Sequence, residues 1–269
     1  MSWLVDAHVH YHPVFGWSRF LEGVLSNTAR VSGEDPSVGA VTTTCLLLAD
    51  PPGTDSLREL REGPGTSLPP DWDLRTPDRG RGVVLTPPHG APRIVLLAGR
   101  QLRTTERLEL LALDCVETIP DGLSLNDAVD RAGEAGAIRV IPWGFGKWTL
   151  SRRRTVERVL TERPMSGLHV GDNGNRPGLS PLPRLLGPDR PGDVLNLPGS
   201  DPLPFPDHAR RAASCGFVLP GDPDLDSPGA SIRKALGSLT RDPPIVASRR
   251  SPVAFVADQL RMQLRGAGQ

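Results

Sequence analysis

Two histidines near the start of the chain have the spacing of a metal-binding pair. Residues 3–12 alternate between two sides of an expected strand, and one side carries His8, His10 and His12. Side chains two residues apart on a strand project to the same side, so the imidazoles of His8 and His10 can reach one cation. The pattern predicts a metal-binding strand end. The alternative is that both histidines are buried or rim residues with satisfied hydrogen bonds.

Two acidic residues farther along the chain could complete such a site. Glu109 lies in the apolar segment 108–113, where a buried carboxylate needs a metal, a cation or a shared proton. We expect it to be a metal ligand or, equally, to pair with an arginine. Asp201 follows the strand-like segment 194–197, which favours a role as metal ligand or general base over a simple Asp-Pro turn.

An aromatic, glycine-rich segment follows another expected strand. Residues 142–148 contain Trp143, Trp148 and Lys147, and the lysine is one of only two in the chain. The aromatic rings could form the wall of a substrate site, and Lys147 could neutralise a carboxylate or a phosphate. The alternative is a packed aromatic lid with the lysine in solvent.

A second polar segment, residues 169–177, also begins at an expected strand. His169 and Asp172 are candidate metal ligands, and Asp172 could instead accept a proton from an attacking water. Asn173 and Arg176 are candidate substrate-binding residues, the arginine as a clamp for an anion. A core histidine followed by an ordinary Asn-Gly turn is the alternative interpretation.

The elements around these residues alternate between strand and helix. Ser124, with Asp127 three residues later, caps an amphipathic helix that ends near Gly136. We expect this helix and its flanking strands to form a βαβ unit, which predicts parallel strand pairing. We therefore expect one α/β domain over residues 1–269, either a distorted TIM-like (β/α) barrel of seven or eight strands or an open parallel sheet. A loop and β-hairpin insertion is expected near residues 63–100.

In their order along the chain, these motifs resemble the polymerase and histidinol phosphatase (PHP) superfamily, and the first strand also resembles the amidohydrolases. The His-x-His sequence at residues 8–10, the segment around Glu109 and the Gly-Ser-Asp sequence at residues 199–201 are similar to PHP motifs. The resemblance implies a metal-dependent hydrolase whose barrel binds a divalent ion such as zinc, manganese or iron at its strand ends.

Three functions are open at this point. The first is hydrolysis of a small anionic substrate, such as a phosphate ester, by a water molecule that the metal acidifies. The second is the amidohydrolase reaction on a cyclic amide, lactone or amine. The third is a barrel without metal that binds a ligand or a partner, since the chain lacks the Thr-Asp-His motif of the PHP superfamily.

Composition disfavours several other classes of function. The chain has 31 basic and 31 acidic residues, so it has no net charge that would attract nucleic acid or an anionic membrane. No apolar run approaches the roughly 20 residues of a membrane-spanning helix. Three cysteines without a Cys-x-x-Cys pair favour reduced thiols and a cytoplasmic location. The expected partner is a small-molecule substrate, and the pattern indicates no particular oligomeric state.

Overall fold

Two open β-sheets form the framework of the protein. The structure is a computed structural model, and it describes residues 1–34, 38–62, 68–77, 80–88, 90, 92–162, 167–188, 190–191 and 193–266. Within these ranges the strands are β1 (Ser2–Val9), β2 (Val41–Leu48), β3 (Asp73–Arg75), β4 (Gly82–Thr86), β5 (Arg93–Leu97), β6 (Gly99–Arg103), β7 (Glu109–Leu113), β8 (Ile138–Pro142), β9 (Leu168–Gly171), β10 (Cys215–Pro220) and β11 (Ile245–Ala247). The helices are α1 (Trp17–Glu34), α2 (Ser56–Glu62), α3 (Leu125–Glu134), α4 (Leu150–Glu162), α5 (Pro228–Gly237) and α6 (Pro252–Gly266).

The strand order of both sheets rules out the expected TIM-like barrel. The larger sheet has the order β11-β10-β1-β2-β5-β4-β3, and the smaller sheet has the order β6-β7-β8-β9. Pairing is parallel for β1 with β2, for β2 with β5 and for β8 with β9. The other named pairs are antiparallel. The prediction of a barrel was therefore wrong, and so was that of an all-parallel sheet: the fold is mixed α/β with two open sheets.

The pairing of β7 with β8 shows why the expected βαβ unit fails. Helix α3 separates these strands in sequence, yet they pair antiparallel, with Leu113 opposite Ile138. Before α3 the chain runs back to the amino end of β7. There Gly122 N donates to Arg103 O at 2.8 Å, and Arg103 is paired with Glu109, the first residue of β7. Helix α3 then brings the chain to the carboxyl end of β7, so β8 begins there and runs antiparallel to β7.

The expected hairpin is part of the larger sheet. Strands β4 and β5 pair antiparallel, and β5 also pairs with β2, which makes it an interior strand. Within the expected insertion, residues 63–67, 78–79, His89 and Ala91 lie outside the described residues.

Hydrogen bonds connect the two sheets near the carboxyl ends of β1 and β2. Gln101 N of β6 donates to Asp50 O, just after β2, at 3.0 Å. On the other side, Leu197 N donates to Val170 O of β9 at 2.8 Å. The segment 194–197, expected as a strand, forms only isolated bridges in this position between β9 and β1. These connections bring the ends of β1, β6 and β9 together.

Strand β1 is buried along its whole length. Trp3 and Val5 pack in one core cluster, whereas Leu4 and Val9 pack in another. Ala7 still packs with Trp3 and Val5, so the alternation changes between Ala7 and Val9, within the stretch where the pairing with β2 shifts in register. Because neither face of β1 meets solvent, its polar side chains need partners inside the protein.

Helix α3 confirms the capping pattern read from the sequence. Ser124 Oγ accepts a hydrogen bond from Asp127 N at 3.2 Å. The apolar stripe, which includes Leu125 and Val129, is buried in the core beside the smaller sheet. Among the described residues, none of the helices combines the length and apolar character needed to cross a bilayer.

Candidate metal centre

Three side chains converge at the carboxyl end of β1. His8 Nε2 and His10 Nε2 lie 3.1 Å apart. Asp201 Oδ1 lies 3.7 Å from His8 Nε2 and 3.5 Å from His10 Nε2. In the plane of these three atoms, the point equidistant from them is about 2.0 Å from each, which matches Zn–N and Zn–O bond lengths in proteins. The cluster could therefore hold a metal ion.

Asp201 reaches the histidines because its backbone lies against β1. Asp201 N donates to His8 O at 2.8 Å. A Cβ atom at Gly199 would lie 2.2 Å from His8 N, so only glycine permits this approach. Asp201 has a φ of 46°, in the left-handed region that aspartate tolerates better than most residues. Close packing and an unusual backbone conformation thus direct the carboxylate toward the imidazoles.

Asp6 holds together the two chain segments that carry these ligands. Its carboxylate accepts hydrogen bonds from Ser200 N at 2.9 Å, Ser200 Oγ at 2.5 Å, Ala213 N at 2.8 Å and His8 N at 3.2 Å. Burial raises the pKa of Asp6 to about 6, although these hydrogen bonds act in the opposite direction. With both oxygens engaged in this way, Asp6 supports the site rather than facing a ligand.

The surroundings favour an ionised Asp201 and a neutral His10. Burial alone would raise the pKa of Asp201, but His8, His10 and a hydrogen bond from Asn173 Nδ2 lower it to about 2. Burial and the neighbouring His8 lower the pKa of His10 to about 3. Asn175 Nδ2 also donates to Asp201 O at 2.6 Å. A carboxylate and a neutral imidazole are the protonation states that bind metal ions.

Gln101 is a fourth polar group at the cluster. Its Oε1 lies 3.1 Å from His8 Nε2. Sequence reasoning missed this residue, because a single glutamine in a short strand has no distinctive pattern. Only the backbone connection between β2 and β6 brings it to the end of β1.

Lys147 and Glu109 form an ion pair beside the cluster. Glu109 is not among the converging ligand atoms, and its partner is this lysine rather than an arginine. The Lys147 side chain is 35 % exposed. Burial raises the pKa of Asp201, and the charge of Lys147 is one of the smaller influences that lower it.

Asp172 is held by arginines and is separate from the histidine pair. Arg176 Nε donates to Asp172 Oδ1 at 2.9 Å, and Arg249 Nη2 donates to Asp172 Oδ2 at 2.6 Å. Burial would raise the pKa of Asp172, but both arginines outweigh it and lower the pKa. Arg176 is itself buried, and its Nη1 donates to Ser180 O at 2.8 Å. Asp172 and Arg176 are thus occupied by one another and by Arg249, which the sequence analysis did not single out.

Two other histidines lie outside the converging group. His169 Nδ1 accepts a hydrogen bond from Leu195 N at 3.3 Å, and the ring lines a separate cavity of about 980 Å³. Burial and the charge of Arg139 lower the pKa of His169 to about 4. The His12 ring stacks on the His10 ring, but its Nε2 faces Pro202 O at 3.2 Å.

The aromatic segment after β8 contributes mainly to packing. Trp148 is buried in the core beside the smaller sheet, and Trp143 packs against the same core. Phe145 is 64 % exposed and its ring contacts that of Phe255 on α6 at 5.1 Å between centroids. Of this segment, Lys147 is the residue that the structure places beside the histidine and aspartate cluster.

A second cluster of potential ligands is already neutralised by arginines. Asp207, His208 and Asp258 have ligand atoms close enough to hold an ion. However, Arg250 Nη2 donates to Asp258 Oδ2 at 2.5 Å, and Arg261 Nη2 donates to Asp207 Oδ1 at 2.8 Å. We therefore treat it as an ion-pair network rather than as a metal site.

Comparison with known proteins supports only the fold. No protein family model matches the chain, and no curated protein matches it. Among solved structures, the chain is similar to PsfC from Pseudomonas syringae PB-5123, with a TM-score of 0.55 and 14 % sequence identity. The match covers 97 % of this chain and 98 % of PsfC.

Proposed function

We propose that the protein is a metal-dependent hydrolase that acts on a small anionic substrate, such as a phosphate ester. The convergence of His8 Nε2, His10 Nε2 and Asp201 Oδ1 carries this proposal. Two imidazoles and one carboxylate form a ligand set used for zinc and for non-haem iron, and it also suits manganese. Three protein ligands leave one position open on four-coordinate zinc, and a six-coordinate ion such as manganese keeps open positions for water and substrate even with a fourth protein ligand.

The side-chain contacts of His8 are at its Nε2. Among the described residues, the buried Nδ1 of His8 has no hydrogen-bond partner. The side-chain contacts that fix the ring are those at Nε2, with His10 Nε2 and Gln101 Oε1 at 3.1 Å. A cation bound there would contact the nitrogen that already faces the other ligands.

We assign two roles to the residues around the site: proton transfer to an acidic residue and stabilisation of negative charge to Lys147. A divalent ion in this position would lower the pKa of a water molecule and supply a nucleophile near neutral pH. Of the two acids considered as acceptors for the proton of that water, Asp201 lies at the cluster, whereas Asp172 is engaged by two guanidinium groups. Lys147 would stabilise negative charge that develops on the substrate.

Lys147 supports the anionic substrate class. Arg176, the other cation considered from the sequence, is buried and directs three of its nitrogens to Asp172 and Ser180 O. The ammonium group of Lys147 is partly exposed and near Asp201. An anionic group of a substrate can compete with Glu109 for this ammonium, because a partly exposed ion pair contributes little to stability.

Metal analysis tests the proposal. Folded wild-type protein, incubated with zinc, manganese and iron salts and then desalted, should retain a divalent ion. The double variant His8→Ala/His10→Ala should lose it. Asp207→Asn, in the second Asp-His cluster, is the matched control and should retain the wild-type amount. Retention by the double variant, or a metal-free wild type, would contradict the proposal.

A substrate comparison tests the reaction class. Metal-loaded protein should hydrolyse phosphate monoesters faster than lactones or cyclic amides. A preference for lactones or cyclic amides would indicate the amidohydrolase reaction instead. Binding of phosphate esters without turnover would indicate a ligand-binding protein.

A further inference from the structure

The side chain of Gln101 is held at the metal-ligand cluster by a firmly paired strand. Gln101 N donates to Asp50 O at 3.0 Å on one side of β6, and Gln101 lies opposite Leu111 of β7 on the other. From this position its Oε1 reaches to 3.1 Å from His8 Nε2. The backbone of the residue is thus fixed on both sides, and its amide is partly buried.

The side-chain contacts of His8 Nε2 converge on one small region. This atom faces His10 Nε2 at 3.1 Å, Gln101 Oε1 at 3.1 Å and Asp201 Oδ1 at 3.7 Å. An amide oxygen is a ligand that divalent ions accept, so a cation held by the histidines and Asp201 would find Gln101 Oε1 within the same group of atoms.

On the basis of the proposed function, we propose that Gln101 Oε1 is the fourth protein ligand of the metal and that its neutrality keeps the site selective for anions. A divalent ion with Asp201 as its one charged ligand retains one net positive charge. A carboxylate at position 101 would cancel that charge and weaken the attraction for an anionic group. The amide therefore adds a ligand without reducing the positive potential that an anion would meet.

Two substitutions separate the ligand role from the charge role. Gln101→Leu removes the oxygen at similar size, and we expect it to weaken Mn²⁺ binding about tenfold or more. Gln101→Glu keeps an oxygen and adds a negative charge. We expect it to bind Mn²⁺ at least as tightly as wild type, while the affinity of the Mn²⁺-loaded protein for inorganic phosphate falls about tenfold.

Isothermal titration with Mn²⁺, and then with inorganic phosphate, measures both effects. Gln263→Leu and Gln263→Glu make the same chemical changes on the exposed face of α6 and should leave both affinities unchanged. Circular dichroism establishes that each variant is folded, and Gln101→Glu still tests the proposal if Gln101→Leu does not fold.

The outcomes distinguish this proposal from the proposed function. If wild type binds Mn²⁺ and Gln101→Leu binds it within twofold of wild type, the ligand role is wrong while the metal site stands. If Gln101→Glu binds phosphate as tightly as wild type, the charge role is wrong. If folded wild type binds no Mn²⁺, zinc or iron, both the metal site and the role of Gln101 are wrong.

Discussion

Lys147 forms an ion pair with the carboxylate of Glu109 and so joins the segment after β8 to the first residue of β7. The two residues meet at the same end of the smaller sheet because β7 runs antiparallel to β8. Burial raises the pKa of Asp201, whereas the two histidines lower it. The charge of Lys147 acts in the same direction as the histidines. The pair therefore belongs to the surroundings of the candidate metal centre.

The first prediction concerns the charge of Lys147. Lys147→Met should weaken binding of inorganic phosphate to the metal-loaded protein about tenfold, because a charge-assisted hydrogen bond is lost. The free energy of unfolding should change by less than about 1 kcal/mol, since the side chain is 35 % exposed. Calorimetric titration and urea unfolding measure the two quantities. Lys234→Met, at the other lysine of the chain and exposed on α5, should change neither.

The second prediction concerns the buried ion pairs of Asp172. Asp172→Asn should lower the free energy of unfolding by about 3–5 kcal/mol, because it leaves buried arginine charge without its partner. Asp226→Asn removes an exposed partner of Arg75 and should change stability by less than about 0.5 kcal/mol. Urea unfolding of both variants gives the comparison. An Asp172→Asn protein of wild-type stability that has lost its metal would instead make Asp172 a ligand.

The third prediction concerns the glycine that lets Asp201 approach β1. In Gly199→Ala the new Cβ atom would lie 2.2 Å from His8 N, so the segment with Asp201 must move away. We expect a loss of about 1–3 kcal/mol in unfolding free energy and reduced metal content. Gly33→Ala, at an exposed helical position with no neighbour within 4 Å, should be neutral or stabilising by up to about 1 kcal/mol. Wild-type metal content in Gly199→Ala would show that this contact does not position Asp201.

The fourth prediction concerns pH and His169. Burial and the charge of Arg139 lower its pKa in the folded protein to about 4, from an ordinary 6.5. Between pH 7 and pH 5 the unfolded chain therefore takes up a proton that the folded protein does not, so stability falls as pH falls. The contribution over this interval is on the order of 2 kcal/mol.

His169→Gln isolates this contribution. The variant lacks the titrating group, so its loss of stability between pH 7 and pH 5 should be smaller than that of wild type by about 2 kcal/mol. Urea unfolding of both proteins at the two pH values measures the difference. Equal losses would mean that His169 is protonated at pH 5 in the folded protein, as a group in contact with solvent would be.

Local patterns in the sequence were sufficient for two parts of this protein. The spacing of His8 and His10 brings their side chains to one place, and their Nε2 atoms lie 3.1 Å apart. Ser124 and Asp127 form the cap that begins α3. Both features involve residues two or three positions apart, and backbone geometry alone controls such distances.

Only the tertiary structure decided which acid joins the histidines and how the strands pair. Asp201 and Asp172 both follow strand-like segments, and both were candidate ligands or proton acceptors. Arg249 arrives from a distant part of the chain to pair with Asp172, whereas the close fit of Gly199 against β1 presents Asp201 to His8. The direction of β8 likewise depends on the path of the chain before α3, not on the helix itself. Contacts between residues far apart in sequence depend on the packing of the whole chain, which no local pattern encodes.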